Sequence, residues 1–377
     1  MDIVTIFDIK VDFRKSHNSY VFDKNTQEEY LDFFNLYSSL PLGYSHEIFN
    51  KEFLTEVESV AHLKMTNNVF QTDELQSFIK KFSTYCISDY VHFCSTGALA
   101  VESALKCAME YKKTDSPMVL GLEKSFHGVN SWGFITDRCG ATGERMKHFP
   151  KNNWQNLPID KIFEYLKHND LADLVAIIVE PVQCTSGDIY IDPQKLLELN
   201  DFCNRKDICF IVDEIQTGFG TSGSMWYSDK IGLKPDILVF GKKAQISGIM
   251  VNQKYSELIL SRLQKLDVTY DGDLIDAIRA KYIINAYEKF DLISRANENS
   301  TKFRNILGEK VLNFRSSGHL IAFDFNTKAE RNEFLQKCYK NKLLCNSAGE
   351  TSVRLRPNLA IKEEEINDFE KIINKII

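Results

Sequence analysis

Two lysines, Lys242-Lys243, follow an apolar run at 236–240 through the single residue Gly241. A lysine at the inner end of a buried strand loses hydration, gives up its proton more easily and becomes a nucleophile. Other apolar runs end in carboxyl groups: Leu174–Val179 runs into Glu180-Pro181, and 208–212 into Asp213-Glu214. The run Tyr90–Cys94 gives way to Ser95-Thr96-Gly97 and then to strong helix formers. Such a junction aims free N–H groups and the positive end of a helix at one point, where a phosphate fits. Singly, each feature has a plainer meaning, since Ser95 or Thr96 can be an ordinary N-cap and a carboxylate after a strand an ordinary turn residue. Phosphate cradle, strand-end aspartate and strand-end lysine together are what pyridoxal 5′-phosphate needs. The lysine forms the Schiff base, and the aspartate keeps the pyridine nitrogen protonated so that the ring acts as an electron sink.

These residues need a scaffold that brings strand ends to one edge. From about residue 88 the pattern alternates: strand Tyr90–Cys94, helix 98–111, strand Met118–Leu122, strand Leu174–Val179, helix 194–204, and strands 208–212 and 236–240. Continuous β-branched runs between helical stretches predict a mostly parallel sheet covered on both faces. In such sheets ligands bind beyond the carboxyl ends of the strands. Leu274–Phe290 reads as a long helix leaving the sheet, 320–325 as an alternating strand, and 361–377 as a terminal amphipathic helix. The opening stretch 3–11 reads as a short β start. We expect an N-terminal segment (1–45) packing with a C-terminal small α+β domain (296–377), and a large domain over 46–295.

Composition narrows the partners. The 377 residues are 44% hydrophobic and 26% charged, with 46 basic against 52 acidic residues and a net charge of −6. That balance has no bulk field for a phosphate backbone, so nucleic acid is not expected. No apolar run approaches the ~18 residues of a membrane helix, and Asp2, Asp8 and Lys10 break up any signal-peptide core. The nine cysteines are scattered without a CxxC pair, which predicts reduced thiols and a cytoplasmic setting. No metal is expected: His46-Glu47 lacks a second histidine at zinc spacing, and the eight histidines do not cluster along the chain.

The ordered set of motifs resembles the class III (ω-type) aminotransferases of the fold-type I, aspartate aminotransferase-like pyridoxal-phosphate enzymes. The matching text is Phe93-Cys94-Ser95-Thr96-Gly97-Ala98 through Glu102 and Ala104-Leu105-Lys106, then Phe126-His127-Gly128. It continues with Glu180-Pro181-Val182-Gln183, Ile211-Val212-Asp213-Glu214-Ile215-Gln216-Thr217-Gly218 and Pro235-Asp236-Ile237. A narrower resemblance, to L-lysine 6-aminotransferases, rests on Gly97-Ala98-Leu99-Ala100-Val101-Glu102, Phe240-Gly241-Lys242-Lys243 with Gln245, and Ser352-Val353-Arg354-Leu355-Arg356-Pro357.

The resemblance implies that Lys242 carries the Schiff base, Asp213 pairs with the pyridinium and Gln216 contacts the ring hydroxyl. It implies that Phe126 stacks on the ring with His127 beside it, and that Thr96, Gly97 and Ala98 hold the phosphate. Thr269 matches a threonine that reaches the phosphate from a second subunit, so a homodimer is expected. Arg354 matches the arginine that grips a substrate carboxylate; of Arg354 and Arg356, one is expected to point outward. The implied reaction moves an amino group from a terminal amine, such as that of L-lysine, to a 2-oxo acid such as 2-oxoglutarate. A racemase, a decarboxylase or a non-catalytic relative on the same scaffold is the alternative. Two substrate-pocket positions depart from the pattern. The family's Gly-Glu after Gln183 is Cys184-Thr185, and the arginine that lysine transaminases place after Gly128 is Val129.

Overall fold

The computed structural model describes residues 5–65, 70–130, 135, 148, 154–261 and 265–377; the start of the 3–11 stretch and Cys139 lie outside them. Seven strands form the central sheet, in the order Tyr90–Cys94, Ser247–Val251, Ile237–Phe240, Cys209–Asp213, Leu174–Val179, Met118–Leu122 and Gln155–Leu157. Ser247–Val251 runs antiparallel to both its neighbours, and every other pairing is parallel. Every residue of Leu174–Val179, Cys209–Asp213 and Ile237–Phe240 is buried, as both faces of a covered parallel sheet require.

Period-2 alternation divides these side chains between two cores. Ala176, Ile178, Cys209 and Ile211 meet the small residues Ala100, Ala104 and Ala108 of the helix Gly97–Lys112. Ile177, Val179, Phe210 and Val212 meet Ile162 and Leu166 of Ile159–His168 and Leu196, Leu199 and Cys203 of Pro193–Lys206. Because the strands run the same way, Cys94, Val179, Asp213 and Phe240 all end at one edge. The helix Leu274–Phe290 does not leave the sheet as its sequence suggested. It shares a continuous apolar cluster with Leu238, Phe240 and Met250 and with Phe78 and Phe82 of the helix Asp73–Phe82. Its buried side chains, among them Ala277, Ala280, Ile283 and Ile284, are small or branched enough to pack closely.

The C-terminal unit is an antiparallel sheet ordered Leu312–Ser317, Leu320–Asp324, Ser352–Leu355, Asn346–Ala348. Phe303, Phe323, Phe334 and Phe369 fill the core under its helices. The helix Leu292–Leu307 spans positions 295 and 296, so the large and small units share it. The N-terminal segment folds as a hairpin, Tyr20–Asp23 with Glu28–Asp32, and the second strand pairs in parallel with Leu343–Leu344. Ser19 N–H donates to Glu365 Oε1 (2.7 Å) and Tyr20 Oη to Asp368 Oδ2 (2.7 Å), fastening the hairpin to the terminal helix Glu363–Ile376. Residues 5–10 form no strand, and Val11 makes only an isolated bridge to Asp23. The Asp23 carboxylate takes the Lys10 N–H that a ladder would have used, and Phe7, Ile9 and Val11 pack against Val21, Tyr30 and Phe34 instead.

Candidate active site

The strand Ile237–Phe240 passes through an extended Gly241 into a single 3-10 turn, Lys242–Ala244. Lys242 holds φ at +48°, a left-handed conformation that a non-glycine residue keeps only where its surroundings enforce it. The tight turn sends the two lysines in different directions. Lys243 is fully buried and donates to Ser38 O (3.2 Å) and Ser38 Oγ (3.0 Å), whereas Lys242 keeps partial exposure. Burial, and then the nearby Arg354 guanidinium, lower the Lys242 amine to a pKa of about 8; Asp213 and Glu180 oppose the shift. An amine titrating there supplies free base near neutral pH.

The neighbouring strand ends sort their carboxylates by direction. Asp213 Oδ2 lies 2.8 Å from His127 Nδ1, and Oδ1 accepts the Ile215 N–H at 3.0 Å. Both side chains are almost wholly buried. Facing a carboxylate, His127 Nδ1 carries the proton and donates it. Glu214, one residue on, points the other way. Its carboxylate accepts from Tyr227 N, Ser228 N, Ser228 Oγ and Thr217 Oγ1 at 2.6–3.1 Å, so it is a structural anchor. Glu180 Oε1 accepts the Phe126 N–H at 2.8 Å, which fixes the backbone beside His127. Burial pushes the Glu180 carboxyl up to about 7, Asp213 raising it further while His127 and the Phe126 N–H pull it down. The sequence marked Glu180 as a strand-end carboxylate and as part of a motif, without giving it a role of its own.

The phosphate-side junction is built as a capped helix. Thr96 Oγ1 accepts the Leu99 N–H (3.3 Å) and Thr96 O the Ala100 N–H (3.0 Å). The first N–H groups of the 16-residue helix, on Gly97 and Ala98, stand outside its own ladder. Gly128 (φ +103°) closes over this end: a Cβ there would sit 2.7 Å from Ala98 Cβ. A Cβ on Gly97 would meet Ile215 Cδ1 at 2.7 Å, so the helix start is pressed against the Asp213 strand end. Asp271 Oδ1 accepts from both Ser95 N and Ser95 Oγ at 2.8 Å, and Tyr270 O accepts from Ser95 Oγ at 3.1 Å. That anchors the loop bearing the exposed Thr269 beside the junction.

Both arginines of the strand Ser352–Leu355 and its exit are buried, contrary to the expectation that one points outward. Residues i and i+2 of a strand share a face, and here that face looks into the protein. Arg354 Nη1 donates to Cys184 O (3.0 Å) and Nε to Asn346 Oδ1 (3.2 Å). Arg356 is ion-paired with the fully buried Asp188 and donates from Nε to Gln216 Oε1 (3.1 Å). Because a guanidinium only donates, this contact fixes the Gln216 oxygen toward Arg356 and turns its amide N–H groups away. Thr185 is half-buried next to the carbonyl that Arg354 holds, and Val129 is 49% exposed.

The model of the family described as "Aminotransferase class-III" matches residues 6–377. The chain belongs to this family. An L-lysine-epsilon aminotransferase of Streptomyces clavuligerus is 28% identical to it, over 97% of this chain and 90% of the relative. An acetylornithine aminotransferase of Bacillus cereus is 29% identical over 97% and 95%. The solved lysine aminotransferase from M. tuberculosis in its internal aldimine form superposes with a TM-score of 0.93 at 26% identity, covering 100% of this chain and 96% of that one.

Class-III aminotransferases depend on pyridoxal phosphate, and the donor set of this aminotransferase suits that cofactor. It offers helix-end N–H groups for a phosphate, a buried carboxylate for a ring nitrogen and an amine of lowered pKa for a carbonyl carbon. Lys242, Asp213, His127, Phe126, Gly97, Ala98, Gln216 and Arg354 converge at the carboxyl edge of the sheet. Thr269, Val129 and Thr185 stand toward its rim. The pairing of Arg356 with Asp188 and the tie from Asp271 to Ser95 join residues too distant in sequence to have been found by spacing.

Two outcomes follow from these pKa values. Glu180 titrates higher in the folded chain, about 7, than its ordinary 4.5, so its protonated form stabilises the fold below pH 4.5 and that contribution is lost as pH rises through 7. The difference is worth roughly 3 kcal/mol. Glu180→Gln should therefore flatten the Tm-against-pH curve between those values, and an unaltered curve would refute the assignment. The apoenzyme should capture pyridoxal phosphate covalently with a rate that rises with pH around 8. Arg354→Met should move that midpoint upward, towards the ordinary lysine value, and a fixed midpoint would exclude the guanidinium as a cause.

Proposed function

We propose that this aminotransferase takes the amino group of a terminal amine, L-lysine or a close analogue, and delivers it to a 2-oxo acid such as 2-oxoglutarate. We infer further that it does so as a cytoplasmic homodimer. The observation that carries the substrate class is the nearness of Lys242 to Arg354, a buried guanidinium close enough to the reactive amine to lower its pKa. A guanidinium beside the reacting centre suits a substrate that brings a carboxylate with its amine or carbonyl, because the fork accepts two oxygens at once.

Bound pyridoxal phosphate supplies an electron sink for the bond being broken. Gly97 and Ala98 N–H groups, with the Thr96 hydroxyl, would hold its phosphate. Asp213, oriented by His127, would hold its ring nitrogen, and the Gln216 amide would face its ring hydroxyl. Phe126 would cover the ring, its backbone fixed by Glu180. Lys242, with its lowered pKa, would be the base that carries a proton between the two carbons exchanging it. Val129 brings no charge and Thr185 no carboxylate, so Arg354 is the principal anchor for substrate carboxylates in both half-reactions. The L-lysine-epsilon aminotransferases among its relatives support the amine donor.

The dimer reading draws on the exposed Thr269 and on the apolar side chains exposed around it, Val268 and Tyr270, with Leu36 and Tyr37 of the segment beside Lys243. The eight described cysteines are free thiols, which suits a reducing compartment. No helix among the described residues is long and apolar enough to cross a membrane.

A donor panel of L-lysine, L-ornithine, N-acetyl-L-ornithine and 1,5-diaminopentane with 2-oxoglutarate should yield glutamate with at least one terminal amine. Lys242→Ala should lower that rate by at least about 10³-fold, while Lys243→Met should retain turnover; a panel with no glutamate formed would overturn the proposal. Mixing Lys242→Ala chains with Thr269→Ala chains tests the shared site. If Thr269 serves the partner's cofactor, the mixed dimer regains one complete site and outperforms either parent. Absence of any gain, with subunit exchange verified by mass, would place Thr269 in its own chain's site.

A further inference from the structure

Away from the transamination site, one face of the edge strand Tyr90–Cys94 carries a second group of chemically capable side chains. His92 and Cys94, two residues apart, project to the same face, and Asp271 meets them from the loop that precedes the helix Leu274–Phe290. His92 Nε2, Cys94 Sγ and an Asp271 carboxylate oxygen lie within 4.8 Å of one another, with His92 Nε2 4.0 Å from Asp271 Oδ2. The Asp271 and Cys94 side chains are buried and that of His92 is only 13% exposed. His92 Nε2 is shielded from solvent with no hydrogen-bond partner, a state that calls for a ligand where the group is otherwise so enclosed.

We propose that His92, Cys94 and Asp271 form a binding site for a borderline-soft divalent cation of the zinc class. One imidazole, one thiolate and one carboxylate are the donor types zinc favours. A tetrahedral ion with bonds of about 2.0–2.3 Å separates its ligand atoms by about 3.3–3.8 Å, so side-chain rotations of less than about an ångström close the present spacing. Ser103 Oγ, 3.6 Å from Cys94 Sγ, or a water completes four-coordination. The carboxylate is already oriented, as a metal ligand's second shell requires. Its Oδ1 accepts from Ser95 N and Ser95 Oγ, and the Val268 N–H donates to Oδ2 at 3.3 Å. Asp267 and Lys106, one of each sign, are the further charged groups facing His92, so entry of a cation meets no net positive field. Spacing alone could not display this site, because only the His92–Cys94 pair is local and the third ligand arrives through the fold. The ion would fasten the Thr269-bearing loop to the strand that leads into the phosphate cradle.

Holoenzyme freed of metal with a chelator and then given Zn²⁺ or Co²⁺ tests this directly. One ion per chain should survive gel filtration, and the Co²⁺ form should show a thiolate-to-metal charge-transfer band. His92→Ala and Cys94→Ala should each weaken binding at least about tenfold, and the latter should abolish the band. Wild-type enzyme lacking the thiolate band, or both variants retaining the same stoichiometry and affinity as wild type, would overturn the proposal. The wild-type spectrum decides the matter even if a variant fails to fold.

Discussion

An alkyl ammonium surrounded by water holds its proton far above neutral pH; enclosed in protein and set beside a guanidinium, it does not. Lys242 is in that second situation, and the surrounding elements can be understood by what they contribute to it. The fully buried strand Ile237–Phe240 delivers the residue to the sheet edge. The left-handed backbone at Lys242 diverts it from the course of its neighbour, whose amine is spent on Ser38. Burial accounts for most of the lowered pKa, and Arg354, which comes from the small sheet, adds to it.

The carboxylates obey the same logic of direction. Three acidic side chains, Glu180, Asp213 and Glu214, stand at the ends of adjacent parallel strands, where simultaneous ionisation would be costly. The structure separates them by partner. Glu214 is turned to the backbone and hydroxyl donors of Thr217, Tyr227 and Ser228. Asp213 is paired with His127, and Glu180, given the Phe126 N–H, is left with a raised pKa.

Much of this was legible before any coordinates, because it depends on local pattern. The strands Tyr90–Cys94, Met118–Leu122 and Leu174–Val179 and the helix Leu274–Phe290 were marked by uninterrupted apolar or helical runs, and the ends of the runs 90–94, 208–212 and 236–240 singled out Ser95-Thr96-Gly97, Asp213 and Lys242. What escaped was set by tertiary contact. An apolar, alternating opening stretch reads as a strand, yet residues 5–10 pack loosely over a hairpin whose own strands are short and mixed in polarity. Leu274–Phe290 was found as a helix but misplaced, since nothing local states that its small side chains lie against the aromatic layer of Phe78 and Phe82.

The two arginines show why side-chain direction matters more than residue type. Period-2 geometry puts Arg354 and Arg356 on one face, so burying one buries both, and the second charge must be met inside the protein. Asp188 meets it with both groups essentially inaccessible. Such a pair adds little net stability over apolar residues of the same shape, because desolvation offsets attraction. Its value lies in orientation: the guanidinium fixes Gln216 by its oxygen and turns the amide N–H groups away from it. Arg354 is held differently, donating to a backbone carbonyl and a side-chain amide oxygen. The same strand and its exit therefore set two guanidiniums in different hydrogen-bond surroundings, and the partner of Arg356 is the one that fixes it rigidly.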